Sequence, residues 1–198
     1  MSKIIAFSTK FPSYHINKGK PPFFVEKILN GLKVGYKDYS YFQKLLVLNA
    51  KNIDSGKLTI ADINDFWTAL EPIEETKLHT IRVGKRFKLG EKFSPRIWSG
   101  RPYFSPQIIF FDDLEIQYCP DFLCTGFYGD KNNLWLVNSR PLASIESIDL
   151  AIGDGLKYAD MLSWFNKPFH GQIICWSKLV NYVGEDSGVR IELLKKIK

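Results

Sequence analysis

The chain opens on a short apolar run, "KIIAFS" (Lys3–Ser8), of strand length and closed by the polar loop "TKFPSYHINKGKPP". Pro21 and Pro22 then precede "FFVEKILNGL", where Phe24, Ile28 and Leu32 fall on one helical stripe and Gly31 lies near the end. In "YKDYSYFQKLLVLNA" the residues Tyr41, Leu45 and Leu48 again recur at helical spacing. A turn-rich "KNIDSGK" breaks that pattern. "TIADINDFWTALEPI" starts a further helix, with Thr59 followed three residues later by Asp62, the spacing of a capping box, and Pro72 at its end. The two helices read as a hairpin inserted over residues 33–76.

From Lys77 the period changes. "KLHTIRV", "EKFSPRIW" and "PQIIFFDDLEIQY" are rich in β-branched and aromatic residues and are separated by Gly84, Gly90, Gly100 and Pro102. "LWLVNSRPLA" supplies another strand. "SIESIDLAIGDGLKYADMLSWF" is helical with an interruption at Gly153-Asp154-Gly155, and "HGQIICWSKLVNYV" and "VRIELLKKIK" read as closing strands. Short strands at this spacing predict a small barrel in preference to a parallel sheet. The expected fold is therefore α+β: one domain over residues 1–198, built as a mostly antiparallel β-barrel with flanking helices and the helical insertion.

Composition adds to this chiefly through charge. The 198 residues are 45% hydrophobic and 15% aromatic, ample for a packed core. The formal net charge is +6, and the stretch from Arg82 to Arg101 carries all of it: Arg82, Lys85, Arg86, Lys88, Lys92, Arg96 and Arg101 stand against Glu91 alone. Such a concentration suits a phosphate backbone. It equally suits a solvated face whose acidic partners, Glu71, Glu74, Glu75, Asp112 and Asp113, lie nearby in the fold. Cys119, Cys124 and Cys175 match no zinc pattern and read as reduced thiols. The N-terminus lacks the apolar core of a signal peptide, and no run of about eighteen apolar residues exists to span a membrane, so a cytoplasmic location is expected.

Familiar catalytic signatures are absent: no G-x-S-x-G, no P-loop, no H-E-x-x-H and no dinucleotide glycine fingerprint. His15, His79 and His170 are far apart, and no metal or cofactor is implied. Lys77 and Thr80 can form a base–nucleophile pair once the lysine has lost its proton. On a regular strand an offset of three points to opposite faces, so Lys77 must precede the strand or sit on a bulge. Otherwise the two are a surface lysine and a strand threonine. Asp154, between two glycines, is either an acid of the site or a turn residue capping the next helix. Trp98, Tyr103, Trp135 and Trp176 are candidates for base stacking or for the core.

Taken together, "FFVEKILNGL … KLHTIRVGKRFKLGEKF", "LAIGDGLKYADMLSWF" and "FHGQIICW" resemble the ASCH domain, a PUA-like fold associated with RNA. The resemblance covers about 150 residues and is clearest at Lys77–Arg82 and Leu150–Phe165. It implies a base-sized cleft and an RNA or modified-nucleoside partner, with Arg82, Lys85, Arg86, Lys88, Lys92, Arg96 and Arg101 facing phosphate. Small family members hydrolyse N4-acetylcytidine with a Lys, a Thr three residues later and a Glu on the late helix. These positions fall here on Lys77, Thr80 and Asp154, with the acid one methylene shorter. The implied reaction has Thr80 attacking the amide carbonyl, Lys77 as general base, Asp154 orienting and Arg82 steadying the oxyanion. The insertion over 33–76 separates Gly31 from Lys77, which nearly abut in small members. It suits a lid or a surface for a protein partner, which would make the chain an adaptor.

Overall fold

A computed structural model describes residues 2–126 and 134–177. In chain order its elements are β1 (Lys3–Ala6), α1 (Phe24–Gly31), α2 (Tyr39–Asp54), α3 (Ile60–Thr68), β2 (His79–Val83), β3 (Lys92–Trp98) and β4 (Gln107–Ile109). There follow β5 (Leu114–Glu115), β6 (Asp121–Cys124), β7 (Trp135–Val137), β8 (Arg140–Pro141), α4 (Ser144–Gly153), α5 (Tyr158–Trp164) and β9 (Phe169–Cys175). The chain divides into two compact units. One comprises Met1–Phe11, Gly19–Thr76 and Lys92–Leu114; the other comprises Pro12–Lys18, Lys77–Glu91 and Glu115–Lys198.

In the first unit β3 is the central strand, parallel to β1 and antiparallel to β4. The expected α1 forms with Ile28 and Leu29 wholly buried. Helix α2 turns Tyr41, Phe42, Leu45 and Asn49 inward. The buried Asn49 is tied to the edge of β4 like an additional strand residue: its Nδ2 donates to the Ile109 carbonyl and its Oδ1 accepts the Ile109 N–H, both at 2.9 Å. One turn of pairing is thus made by a side chain, which satisfies a backbone donor and acceptor at once. Tyr41 reinforces it by donating to the Phe110 carbonyl at 2.7 Å. The capping box read from Thr59 and Asp62 forms, with Asp62 N–H donating to Thr59 Oγ1 at 3.1 Å and Thr59 N–H to Asp62 Oδ2 at 2.7 Å.

The second unit is an antiparallel sheet in the order β2-β9-β6-β7-β8. Strand β9 sits between β2 and β6, with Ile81 opposite Ile173 and Val83 opposite Gly171. At Gly171 the neighbouring strand comes so close that a Cβ would stand 2.2 Å from the Arg82 carbonyl oxygen. Strand β6 has no counterpart in the sequence reading, because four residues beside Pro120 are too short to show alternation.

Helix α4 ends as the Gly-Asp-Gly interruption foretells, in a Schellman motif. Gly155 N–H donates to Ile152 O and Leu156 N–H to Ala151 O, both at 2.9 Å, and Gly155 takes the left-handed conformation with φ 73°. The fold is thus α+β with two mostly antiparallel sheets. The single closed barrel expected from strand spacing is not found among the described residues: both sheets are open, and β3 pairs with β1 instead of joining the β2 sheet. Spacing announces that strands exist and leaves their partners to tertiary packing. The closing strand expected over "VRIELLKKIK" lies outside the described residues. Among the described residues no helix is long and apolar enough to cross a membrane.

Candidate functional site

The Schellman end of α4 fixes where Asp154 points. It occupies the C-cap, and its carboxylate meets Lys77 on the extended segment that leads into β2. Lys77 Nζ lies 2.9 Å from Asp154 Oδ1 and also donates to the Asp154 main-chain carbonyl at 2.5 Å. The Ile81 N–H donates to the same Oδ1 at 3.2 Å, and Leu78 N–H donates to the Gly153 carbonyl at 2.8 Å. His79 completes the group, with Nδ1 3.5 Å from Asp154 Oδ1, an electrostatic contact longer than a good hydrogen bond. Lys77 is 1% exposed, His79 0% and Asp154 3%. These are ionisable groups almost wholly removed from water.

The electrostatics follow from that burial. Desolvation alone would raise the Asp154 pKa, yet the Lys77 charge and the His79 contact outweigh it and hold the carboxyl below its ordinary value. For His79 burial wins and lowers the pKa, against the pull of Asp154. Asp154 therefore does not cap the following helix; it is the anionic centre of a buried cluster.

Of the three residues assigned to catalysis, the structure brings two together. Lys77 precedes the strand, as the spacing argument required, and its side chain goes to Asp154. Thr80 lies one residue beyond His79 on β2, opposite Ile174, and is 5% exposed. Since Lys77 and His79 both turn to Asp154, strand alternation sends Thr80 the other way. In its contacts with Asp154 the Lys77 Nζ serves as a donor, which is the role of an ammonium; a general base needs the lone pair.

The basic stretch is divided between the units: Arg82, Lys85, Arg86 and Lys88 belong to the second, and Lys92, Arg96 and Arg101 to the first. In the second unit the loop after β2 is held at several points. Phe87 is buried and its main chain is clasped by the buried Gln172 of β9: Phe87 N–H donates to Oε1 at 3.1 Å and Nε2 donates to the Phe87 carbonyl at 3.0 Å. Lys85 is paired with Asp121 at 2.5 Å. Lys88 N–H donates to the Glu91 carboxylate at 2.9 Å, and Gly90 and Glu91 exchange main-chain bonds with Ile116 at 2.9 Å. Arg86 and Lys88 flank the anchored Phe87 and are exposed. Gln172 and His79 escaped the sequence reading as site residues; a lone polar side chain in the apolar "GQIICW" was the available signal for the former.

In the first unit Lys92 and Arg96 line a polar recess with Ser94, Asp112 and Asp113, so part of the positive charge does meet acids. Burial lowers the Arg96 pKa, and Asp113 opposes this. Arg101 lies 4.3 Å from the centre of the Phe104 ring, and Trp98 and Tyr103 rings stand 5.3 Å apart, with Tyr103 and Phe104 exposed. Trp135 and Trp176, by contrast, are core residues. Among the described residues no cluster of His, Cys, Asp and Glu could hold a metal ion. No protein-family model, curated protein or solved structure matches this chain.

Proposed function

We propose that this chain is an ASCH-type, PUA-like protein of the cytoplasm that binds RNA or a nucleotide, with the loop after β2 as a phosphate-holding element. The observation that carries this reading is the pinned basic loop. Gln172 fixes Phe87 from the sheet, and the exposed Arg86 and Lys88 are its neighbours in the chain. A loop already ordered loses little freedom when it meets a phosphate backbone, so its charges act at small entropic cost. The buried Lys77–Asp154 pair then braces β2 against the end of α4. The test is retention of single-stranded RNA at rising salt. Each of Arg86→Ala and Lys88→Ala should flatten the log–log slope by about 0.7, the value for one phosphate contact on a single strand. Unaltered slopes in both variants refute the assignment.

One observation favours a second reading, the amidohydrolase: Lys77 and Asp154 meet as the resemblance implies. It requires Lys77 to lose a proton to solvent first, so that its lone pair can accept the Thr80 proton. Turnover of N4-acetylcytidine by the wild type and its loss in Thr80→Ala would establish it.

A further inference from the structure

The first unit contains a cavity of about 630 Å³, within the range that holds small ligands. Phe23, Phe24, Phe66 and Leu70 supply aromatic and aliphatic walls, and Glu26 and Glu71 supply the acids. Among the described residues no lysine, arginine or histidine lines it. Glu26 lies in the first turn of α1 and is 8% exposed, so a carboxyl group has been placed inside a largely apolar space. Its carboxylate accepts the Glu71 N–H at a long 3.4 Å, and the Tyr41 hydroxyl lies within its electrostatic reach. Burial pushes the Glu26 carboxyl above its ordinary pKa, and the main-chain N–H groups of Glu26 and Glu71 and the charge of Lys27 offset only part of this. The lining residues therefore compensate this carboxylate poorly.

The backbone adds to the cost of this arrangement. Phe23, the residue before α1, adopts a left-handed conformation (φ 57°, ψ 35°), and its side chain offers no cap to the helix. A left-handed aromatic residue is uncommon, and such conformations gather at ligand sites. Anions are disfavoured by two carboxylates with no basic residue on the wall. Aromatic faces and a desolvated carboxylate together favour a cation.

We propose that this cavity binds a small organic cation, an ammonium or amidinium on an apolar or aromatic body, with Glu26 as its counter-ion. The site lies wholly in the first unit and stands apart from the RNA reading. Benzamidine and choline serve as probes, with uncharged benzamide and anionic benzoate as controls, titrated calorimetrically into the full chain. At least one cation should bind saturably and raise the melting temperature, with benzamide and benzoate weaker by at least about tenfold. Glu26→Gln, which keeps the side-chain shape, should weaken the cation by about tenfold. Ala69→Phe, at an exposed position on the cavity wall, should block the space and abolish binding even if the first variant fails to fold. The proposal is overturned if neither cation binds at millimolar concentration, if benzamide binds as tightly, or if a folded Glu26→Gln or Ala69→Phe binds the cation unchanged.

Discussion

Replacing Lys77 by methionine isolates the energetics of the buried cluster, because it keeps the stem of the side chain and removes only the charge. At 2.9 Å, two unit charges attract by about 6 kcal/mol at an effective dielectric constant of about 20. Desolvating each ion costs several kcal/mol, so the pair as a whole contributes far less than that attraction. Breaking it is a different matter. Asp154 would stay 3% exposed with its main counter-ion gone, and uncompensated buried charges of this kind cost about 3–5 kcal/mol. For a chain of this length that is a fall of roughly 10 °C in melting temperature.

The size of this loss depends on pH. In the wild type the folded Asp154 pKa is depressed, so its contribution is complete above the unfolded value and disappears as the pH falls through the folded one. Without Lys77 the burial effect prevails and the folded pKa moves above the unfolded value. The penalty in Lys77→Met is then relieved by protonation, and the stability gap between variant and wild type narrows from pH 7 towards pH 4. The assay is denaturant or calorimetric unfolding of both proteins across that range. A gap below about 1 kcal/mol at neutral pH, or one that stays constant on acidification, refutes the reasoning. The double variant Lys77→Met/Asp154→Leu should recover more than half of the loss, because both charges then leave the interior together.

Asn49→Ala should cost about 2–4 kcal/mol, since it strands the Ile109 N–H and carbonyl at the β4 edge; chemical denaturation reads this, and a loss under 1 kcal/mol would contradict the strand-like role. Gly171→Ala drives a Cβ against the Arg82 carbonyl and should part β2 from β9, seen as lost amide-exchange protection across Ile81 and Ile173; retained protection would show that the strands can move apart at little cost. Gln172→Leu removes both bonds to Phe87 while keeping bulk, and on the RNA reading it should weaken binding without changing the salt slope, because the charges remain and only their ordering is lost.

Much of the local structure was legible in the sequence. The 3.6-residue stripes gave α1 and α2, Thr59 and Asp62 gave the start of α3, and Gly153-Asp154-Gly155 marked where α4 stops. These are short-range effects, settled by neighbours within a turn or two of chain. The alternation rule also determined that Lys77 could not serve a catalytic role from within a regular strand beside Thr80. Where the Lys77 side chain goes depended on Asp154, 77 positions away, and on the helix end that aims it. Sheet partners were undecidable in the same way: β3 had the pattern of a strand wherever it paired, and only packing placed it beside β1. The division of the basic stretch between two units, the clasp of Gln172 on Phe87 and the enclosure of Glu26 beside three phenylalanines likewise required the tertiary structure. Residue order specifies which groups are available and how each segment prefers to bend; burial, which sets the energy of a charge, arises only when distant segments exclude water together.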